Sequence, residues 1–300
     1  MPAEAAVIRL FIAGARKAAT TSLLRYLGQH PGICAQWTTE FGVFSIDSLY
    51  AHGVDAAIRS AIPGADRVPQ RILVAKDVRL MYDPAAIDRL ARYNPGAHIA
   101  VVMRHPVERA YSHYWYARRT GQEPLATFEA ALEAPPGRFG ADRAWAQACS
   151  YLESSRYLGP LQALREFFPP DQLQLFLFEE FTSDPAEVCC RLWALFPELG
   201  GRFEPDVRQR HNSAARARWP ELARITHSRR ALPRLKRELR RLLPGSRVDA
   251  LRDGLIRLNE RNFSPPPMRP ETRQALLAHF EGHNRELGRL LGLDLSAWNR

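Results

Sequence analysis

The feature that most constrains this chain is an apolar run that breaks into a small-residue turn and then a helix. It occupies Val7 to Pro31, VIRLFIAGARKAATTSLLRYLGQHP. Val7-Ile8-Arg9-Leu10-Phe11-Ile12-Ala13 suits a strand buried on both faces. Gly14 ends the run, and Gly14-Ala15-Arg16-Lys17-Ala18-Ala19 makes a tight turn. Thr20, Thr21 and Ser22 then start a helix with Leu23, Leu24 and Leu27 at helical spacing. Such a unit aims backbone N–H groups and the positive end of the helix dipole at one point, where small side chains admit an anion. Lys17 adds a full charge there, and the Thr20 and Thr21 hydroxyls add donors. The turn is not a nucleotide loop of the Gly-Lys-Ser/Thr kind, because Ala18 and Ala19 separate Lys17 from Thr20. By itself the stretch leaves two readings open: an anion site, and an ordinary strand–helix turn capped by Thr20.

The unit repeats along the chain. Arg71 to Ala75 reads as a second buried strand leading into Lys76-Asp77. Asp83-Pro84 is an N-cap followed by proline in the first turn, which predicts a helix to about Tyr93. Ala97 to Met103 is a third strand, and Pro106 starts the next helix. Gln172 to Phe178 is a further strand, and Asp184-Pro185 caps a helix through about Phe196. Strands alternating with helices predict an α/β domain with a mostly parallel central sheet and helices on both faces. Ligands collect beyond the carboxyl ends of such strands. Lys17, Lys76 and Arg104 all stand at or just after those ends. Any one of them could be a solvated loop charge, but three in equivalent places predict a converging pocket.

Charge and cysteine usage narrow the partners. The formal net charge is +10, which calls for an anionic partner without naming it. Cys34, Cys149, Cys189 and Cys190 have no metal-ligand spacing, so a reduced, cytoplasmic protein without a metal is expected. No apolar run reaches membrane-span length, and Met1 to Ala6 lacks the pattern of a signal peptide. Phe203 to Pro220 reads as an Arg-rich loop over the site, and His227 to Ile256 as a basic helical stretch. Pro270 starts a last helix with Leu276, Phe280, Leu287 and Leu291 on one face.

Two motifs together carry a family resemblance. Gly14 to Leu23 resembles the 5′-phosphosulfate loop of sulfotransferases that use 3′-phosphoadenylyl sulfate, G-x-x-K-[GS]-G-T-T-S-L, with Ala18 and Ala19 as the departures. Arg104-His105-Pro106-Val107-Glu108-Arg109-Ala110-Tyr111-Ser112 resembles that family's 3′-phosphate motif, R-x-P-x-x-R-x-x-S, at every defined position. An Arg at a strand end can make a forked contact with phosphate, and a Ser two turns into the next helix can donate a hydroxyl to the same group. The resemblance spans most of the chain and is strongest to bacterial enzymes and heparan-type glycan sulfotransferase domains. It implies one domain over 1–300, with a cofactor-binding core over about 7–200. Covering segments would follow over about 203–264, and a C-terminal helix over 270–291.

For chemistry, the resemblance implies binding of 3′-phosphoadenylyl sulfate by Arg16, Lys17, Ala18, Ala19, Thr20, Thr21, Ser22, Arg104 and Ser112, with Arg216 from the covering loop. The product would be adenosine 3′,5′-bisphosphate. Thr39-Glu40-Phe41-Gly42-Val43-Phe44 is similar to the K-E-x-x-F-F strip of glycan-type members at Glu40 and Phe44, with Thr39 in place of the Lys. Glu40 is therefore the expected general base, with Lys17 and Lys76 as its catalytic companions. The other reading of Glu40 is a surface carboxylate beside an aromatic strip. The acceptor is left open, and no nucleic acid is expected. A weak contact of residues 227–256 with anionic glycan or membrane is the remaining partner expectation. Two further functions compete. A small-molecule kinase or NTPase would need a Mg²⁺ carboxylate at a strand end, for which Asp77 is the candidate. A non-enzymatic basic module would bind through 227–256.

Overall fold

A computed structural model describes residues 7–36, 40–62, 71–135, 150–200, 203–208, 215–217, 254 and 260–300. Five strands form one sheet: β1 (Ile8–Gly14), β2 (Ile33–Ala35), β3 (Ile72–Lys76), β4 (His98–Met103) and β5 (Leu173–Leu177). Their order is β2-β3-β1-β4-β5, and every neighbouring pair is parallel. Parallel strands need crossovers, and the helices Thr20–Leu27, Pro84–Tyr93, Pro106–Arg119 and Leu158–Phe167 lie along those connections. All five residues of β3 are buried, as is nearly all of β1, so both faces of the sheet are covered. The expected α/β architecture with helices on both faces is what the chain adopts.

The local signals act as their chemistry dictates. Asp83 accepts from the Ala85 and Ala86 N–H groups at 3.1 and 3.4 Å, and its helix runs Pro84–Tyr93. Asp184 does the same for Glu187 at 2.9 Å. That second helix ends at Trp193 rather than Phe196, because Pro197 disfavours helical geometry in the residue before it. The strand expected over Gln172 to Phe178 is β5, and a short helix, Phe178–Ser183, follows directly where only a strand end was foreseen.

The described residues form two compact units. One comprises 1–109, 154–212 and 279–300 and holds the five-stranded sheet. The other comprises 110–153 and 213–278. In it, Tyr111, Tyr114, Trp115, Phe128 and Tyr151 pack ring to ring, and Tyr151 donates to buried Glu123 at 2.7 Å. A short strand, β6 (Ala215–Ala217), pairs antiparallel with β7 (Glu260–Asn262), where a loop was expected through Pro220. Three residues are too few for a periodic signal. Apart from Gly254, the expected basic helical stretch over 227–256 lies outside the described residues.

Candidate functional site

β1 is the middle strand, and its carboxyl end delivers the first loop. Gly14 closes the strand where a Cβ would sit 2.0 Å from the Met81 sulfur, so no larger residue fits without displacing Met81. The Ala15 N–H then donates to Val102 of β4 at 2.8 Å, and the Ala18 N–H to the Ala15 carbonyl at 3.2 Å. Lys17 and Ala19 both adopt positive φ, 69° and 57°. Ala19 therefore occupies, at some steric cost, the left-handed conformation that glycine supplies freely. Thr20 starts the helix Thr20–Leu27 with no side-chain cap at Ala19, and the first-turn N–H groups lack intrahelical acceptors by geometry. Thr20, Ser22 and Ala18 are buried, while Arg16, Lys17 and Thr21 are half-buried.

β4, on one side of β1, ends directly before Arg104. Its guanidinium Nη1 donates to the Lys17 carbonyl at 3.2 Å and lies over the Phe178 ring, 4.6 Å from the centroid. Burial pushes the Arg104 guanidinium below its ordinary value, with Glu108, Tyr157 and Glu179 acting in the opposite direction. Arg109 is fully buried, and its Nε donates to Ser155 Oγ at 2.6 Å. Burial lowers it too, Tyr157 and Tyr82 oppose the shift, and the charges of Arg16 and Arg104 add to it. These cations gather beside one turn, an electrostatic arrangement that an anion relieves.

β3, on the other side of β1, ends in Lys76, register partner of Ile12. The Lys76 ammonium is 1% exposed and meets the 22% exposed Glu40 carboxylate at 2.5 Å. The second Glu40 oxygen accepts from the Val78 N–H at 2.9 Å. An ionised carboxylate offers about four lone-pair sites, so two contacts leave capacity on its open side. Buried Gln36 holds the pair from behind: its Oε1 accepts from Lys76 N–H at 2.8 Å, and its Nε2 donates to Lys76 O at 3.2 Å. The Phe41 N–H donates to the same Lys76 carbonyl at 2.7 Å, which anchors the strip carrying Glu40. Gly42 has φ 69°, and a Cβ there would meet Arg79 Nη2 at 2.8 Å. Arg79 in turn makes a forked pair with buried Asp77, at 2.8 and 2.9 Å. Burial works against its charge, yet Asp77 and Glu40 outweigh burial and raise the guanidinium.

The expected residues thus fall into two groups around β1, Lys17 with Arg104 and Lys76 with Glu40. Ser112 is half-buried on the helix Pro106–Arg119, in the part that belongs to the second unit. Arg216 lies in β6 opposite Arg261, and its side chain lies outside the described residues, as do Thr39 and His211. Sequence reasoning assigned no role to Gln36, Arg79, Phe178, Ser155 or Tyr157. Their contacts arise only where distant segments meet. Among the described residues no group of three or more His, Cys, Asp or Glu could hold a metal. No helix among them is long and apolar enough to cross a membrane.

No protein-family model matches the chain. It is 27% identical over 187 residues to the bifunctional heparan sulfate N-deacetylase/N-sulfotransferase 3 of Homo sapiens, covering 60% of this chain and 21% of that protein. It is 26% identical over 214 residues to the bifunctional heparan sulfate N-deacetylase/N-sulfotransferase 1 of Caenorhabditis briggsae, covering 66% and 24%. The chain therefore spans about a fifth to a quarter of the length of these curated relatives. Among solved structures, a sulfotransferase from Alicyclobacillus acidocaldarius superposes with a TM-score of 0.66 at 24% identity, over 98% of this chain and all of that one. The chain resembles heparan-type sulfotransferases in sequence and has a sulfotransferase fold.

Proposed function

We propose that this chain is a sulfotransferase that moves the sulfuryl group of 3′-phosphoadenylyl sulfate to a hydroxyl or amine of a carbohydrate or small metabolite. The observation that carries the reading is the arrangement around the end of β1. An anion turn bonded to Arg104 stands on one flank, and a carboxylate seated on a buried Lys76 stands on the other. An anionic donor and a proton-accepting group are the two requirements of sulfuryl transfer. The curated relatives are named for N-sulfation of heparan sulfate, which supports a glycan amine or hydroxyl as the acceptor class.

In this scheme Glu40 takes the acceptor proton on its open side while the acceptor oxygen or nitrogen attacks sulfur. The sulfur–oxygen bond to the 5′-phosphate breaks in line, and its electron pair stays on the phosphate oxygen. Lys17 and the first-turn N–H groups of the helix Thr20–Leu27 stabilise that developing charge. Lys76 keeps the Glu40 carboxylate oriented and balances its charge. Arg104 binds the 3′-phosphate, the motif assigns Ser112 to the same cofactor, and the resemblance of the covering loop adds Arg216. By analogy with phosphoryl transfer, placement and electrostatics suffice, and the scheme calls for no metal.

The kinase reading loses its carboxylate. Asp77 is buried and tied by both oxygens to Arg79, which leaves it poorly placed to take Mg²⁺. A direct test compares thermal stabilisation by adenosine 3′,5′-bisphosphate, ATP with Mg²⁺, and duplex DNA, followed by radiolabelled sulfate transfer to glycans and hydroxylated metabolites. Selective stabilisation by the bisphosphate is expected. Stabilisation by ATP–Mg²⁺ or DNA alone would replace the reading.

A further inference from the structure

We propose that Tyr157, supported by Ser155, is the positioning residue that aims Arg104, and so sets discrimination for a 3′-phosphate. The inference rests on the assignment of Arg104 to that phosphate. Pairing between β4 and β5 ends at Met103 with Leu177, so Arg104 is the first residue past the ladder. Its backbone groups therefore need another partner. The Tyr157 hydroxyl serves both: it accepts from the Arg104 N–H at 3.3 Å and donates to the Arg104 carbonyl at 2.8 Å. A phenol has one proton to donate, and here it goes to the residue whose side chain faces the anion turn.

The neighbouring residues complete the brace. Ser155 donates to the Pro106 carbonyl at 2.9 Å and accepts from Arg109 Nε at 2.6 Å, while the Ser154 carbonyl accepts from the Tyr82 hydroxyl at 2.7 Å. One short segment thus holds the strand end, the start of the following helix and the turn after β3. The head of Arg104 is held separately, by Phe178 and the Lys17 carbonyl. Tyr157 is 2% exposed with its ring against Trp298, and burial raises its hydroxyl well above the usual phenol range, so it remains a donor at any working pH.

The experiment measures the affinity of adenosine 3′,5′-bisphosphate and of adenosine 5′-phosphate for wild type, Tyr157→Phe, Ser155→Ala and Arg104→Ala by calorimetry. Tyr157→Phe keeps the ring and removes only the hydroxyl. Loss of a neutral hydrogen bond that orients a charged ligand contact corresponds to about a tenfold weaker bisphosphate affinity. The 5′-phosphate affinity should change by less than about twofold, and Tyr157→Phe should add little in the Arg104→Ala background, as coupled residues do. Ser155→Ala should reproduce the direction with a smaller effect, and it carries the test if Tyr157→Phe does not fold. Equal weakening of both nucleotides, or unchanged discrimination in a folded variant, overturns the positioning role alone. A wild type that binds both nucleotides equally overturns this inference together with the assignment of Arg104.

Discussion

The Arg104 guanidinium donates to the Lys17 main-chain oxygen at 3.2 Å, which ties two motifs far apart in the chain into one structure. Parallel strands β1 and β4 are neighbours, so their carboxyl ends emerge side by side. The contact pins the backbone of the turn that carries the Lys17 charge.

Removing that guanidinium should expose the division of labour. Arg104→Ala is expected to weaken adenosine 3′,5′-bisphosphate by about tenfold to a hundredfold, the equivalent of one charged hydrogen bond. Adenosine 5′-phosphate should lose far less. Calorimetry with both nucleotides checks it, and equal losses would move the 3′-phosphate elsewhere.

On the proposed reading Lys17 should act mainly in the transition state, where the oxygen assigned to it becomes negative only as the sulfur–oxygen bond breaks. Lys17→Ala is expected to cut turnover much more than it weakens the bisphosphate product, which lacks the sulfuryl group. Normal turnover at saturating donor would assign Lys17 to ground-state binding.

Glu40→Gln keeps shape and can still accept from Val78 N–H, but it cannot take the acceptor proton. Turnover on a hydroxyl acceptor should fall by roughly 10²–10⁴-fold while donor binding survives. A near-normal rate would leave Glu40 as the structural partner of Lys76.

Ala19 sits at φ 57° in the turn between β1 and the helix Thr20–Leu27. A left-handed conformation costs an L-residue about 1–2 kcal/mol, and the entropy of a new glycine returns roughly 0.5–1 of it. Ala19→Gly should therefore raise stability by up to about 1.5 kcal/mol, and Ala19→Val should lower it. Chemical denaturation reads both, and a destabilised Ala19→Gly would contradict the backbone conformation.

His30 predicts an acid limb in stability. It is buried against Trp193 and Phe203, and its Nδ1 accepts from the Gly32 N–H at 3.1 Å. Burial lowers its pKa, so below about pH 6.5 the unfolded chain binds a proton that the native state refuses. Stability should be full above that pH and fall as pH drops through the native value. His30→Gln keeps an acceptor near Gly32 and should flatten the decline. His98, lowered mainly by burial, would account for what remains. An unchanged slope would show that His30 takes up its proton equally in both states.

Much of this molecule is written in local patterns. The runs of β1, β3 and β4, the Asp83 and Asp184 caps and the start at Pro106 need only chain chemistry, because hydrophobic period and capping act within a few residues. Lys17, Lys76 and Arg104 were legible as strand-end cations for the same reason. The strand order, which puts β3 and β4 on either side of β1, was not written locally. It decides that Lys76 sits beneath Glu40 and that Arg104 reaches Lys17. No role could be read from the sequence for Gln36, Tyr157 or Ser155, since a buried amide or hydroxyl has meaning only through the backbone groups it meets. Those groups come from segments 40, 53 and 49 residues away, and packing of the sheet and its crossovers brings them together. Charge and residue type are properties of the chain; which charges converge, and what holds them still, is decided by tertiary packing.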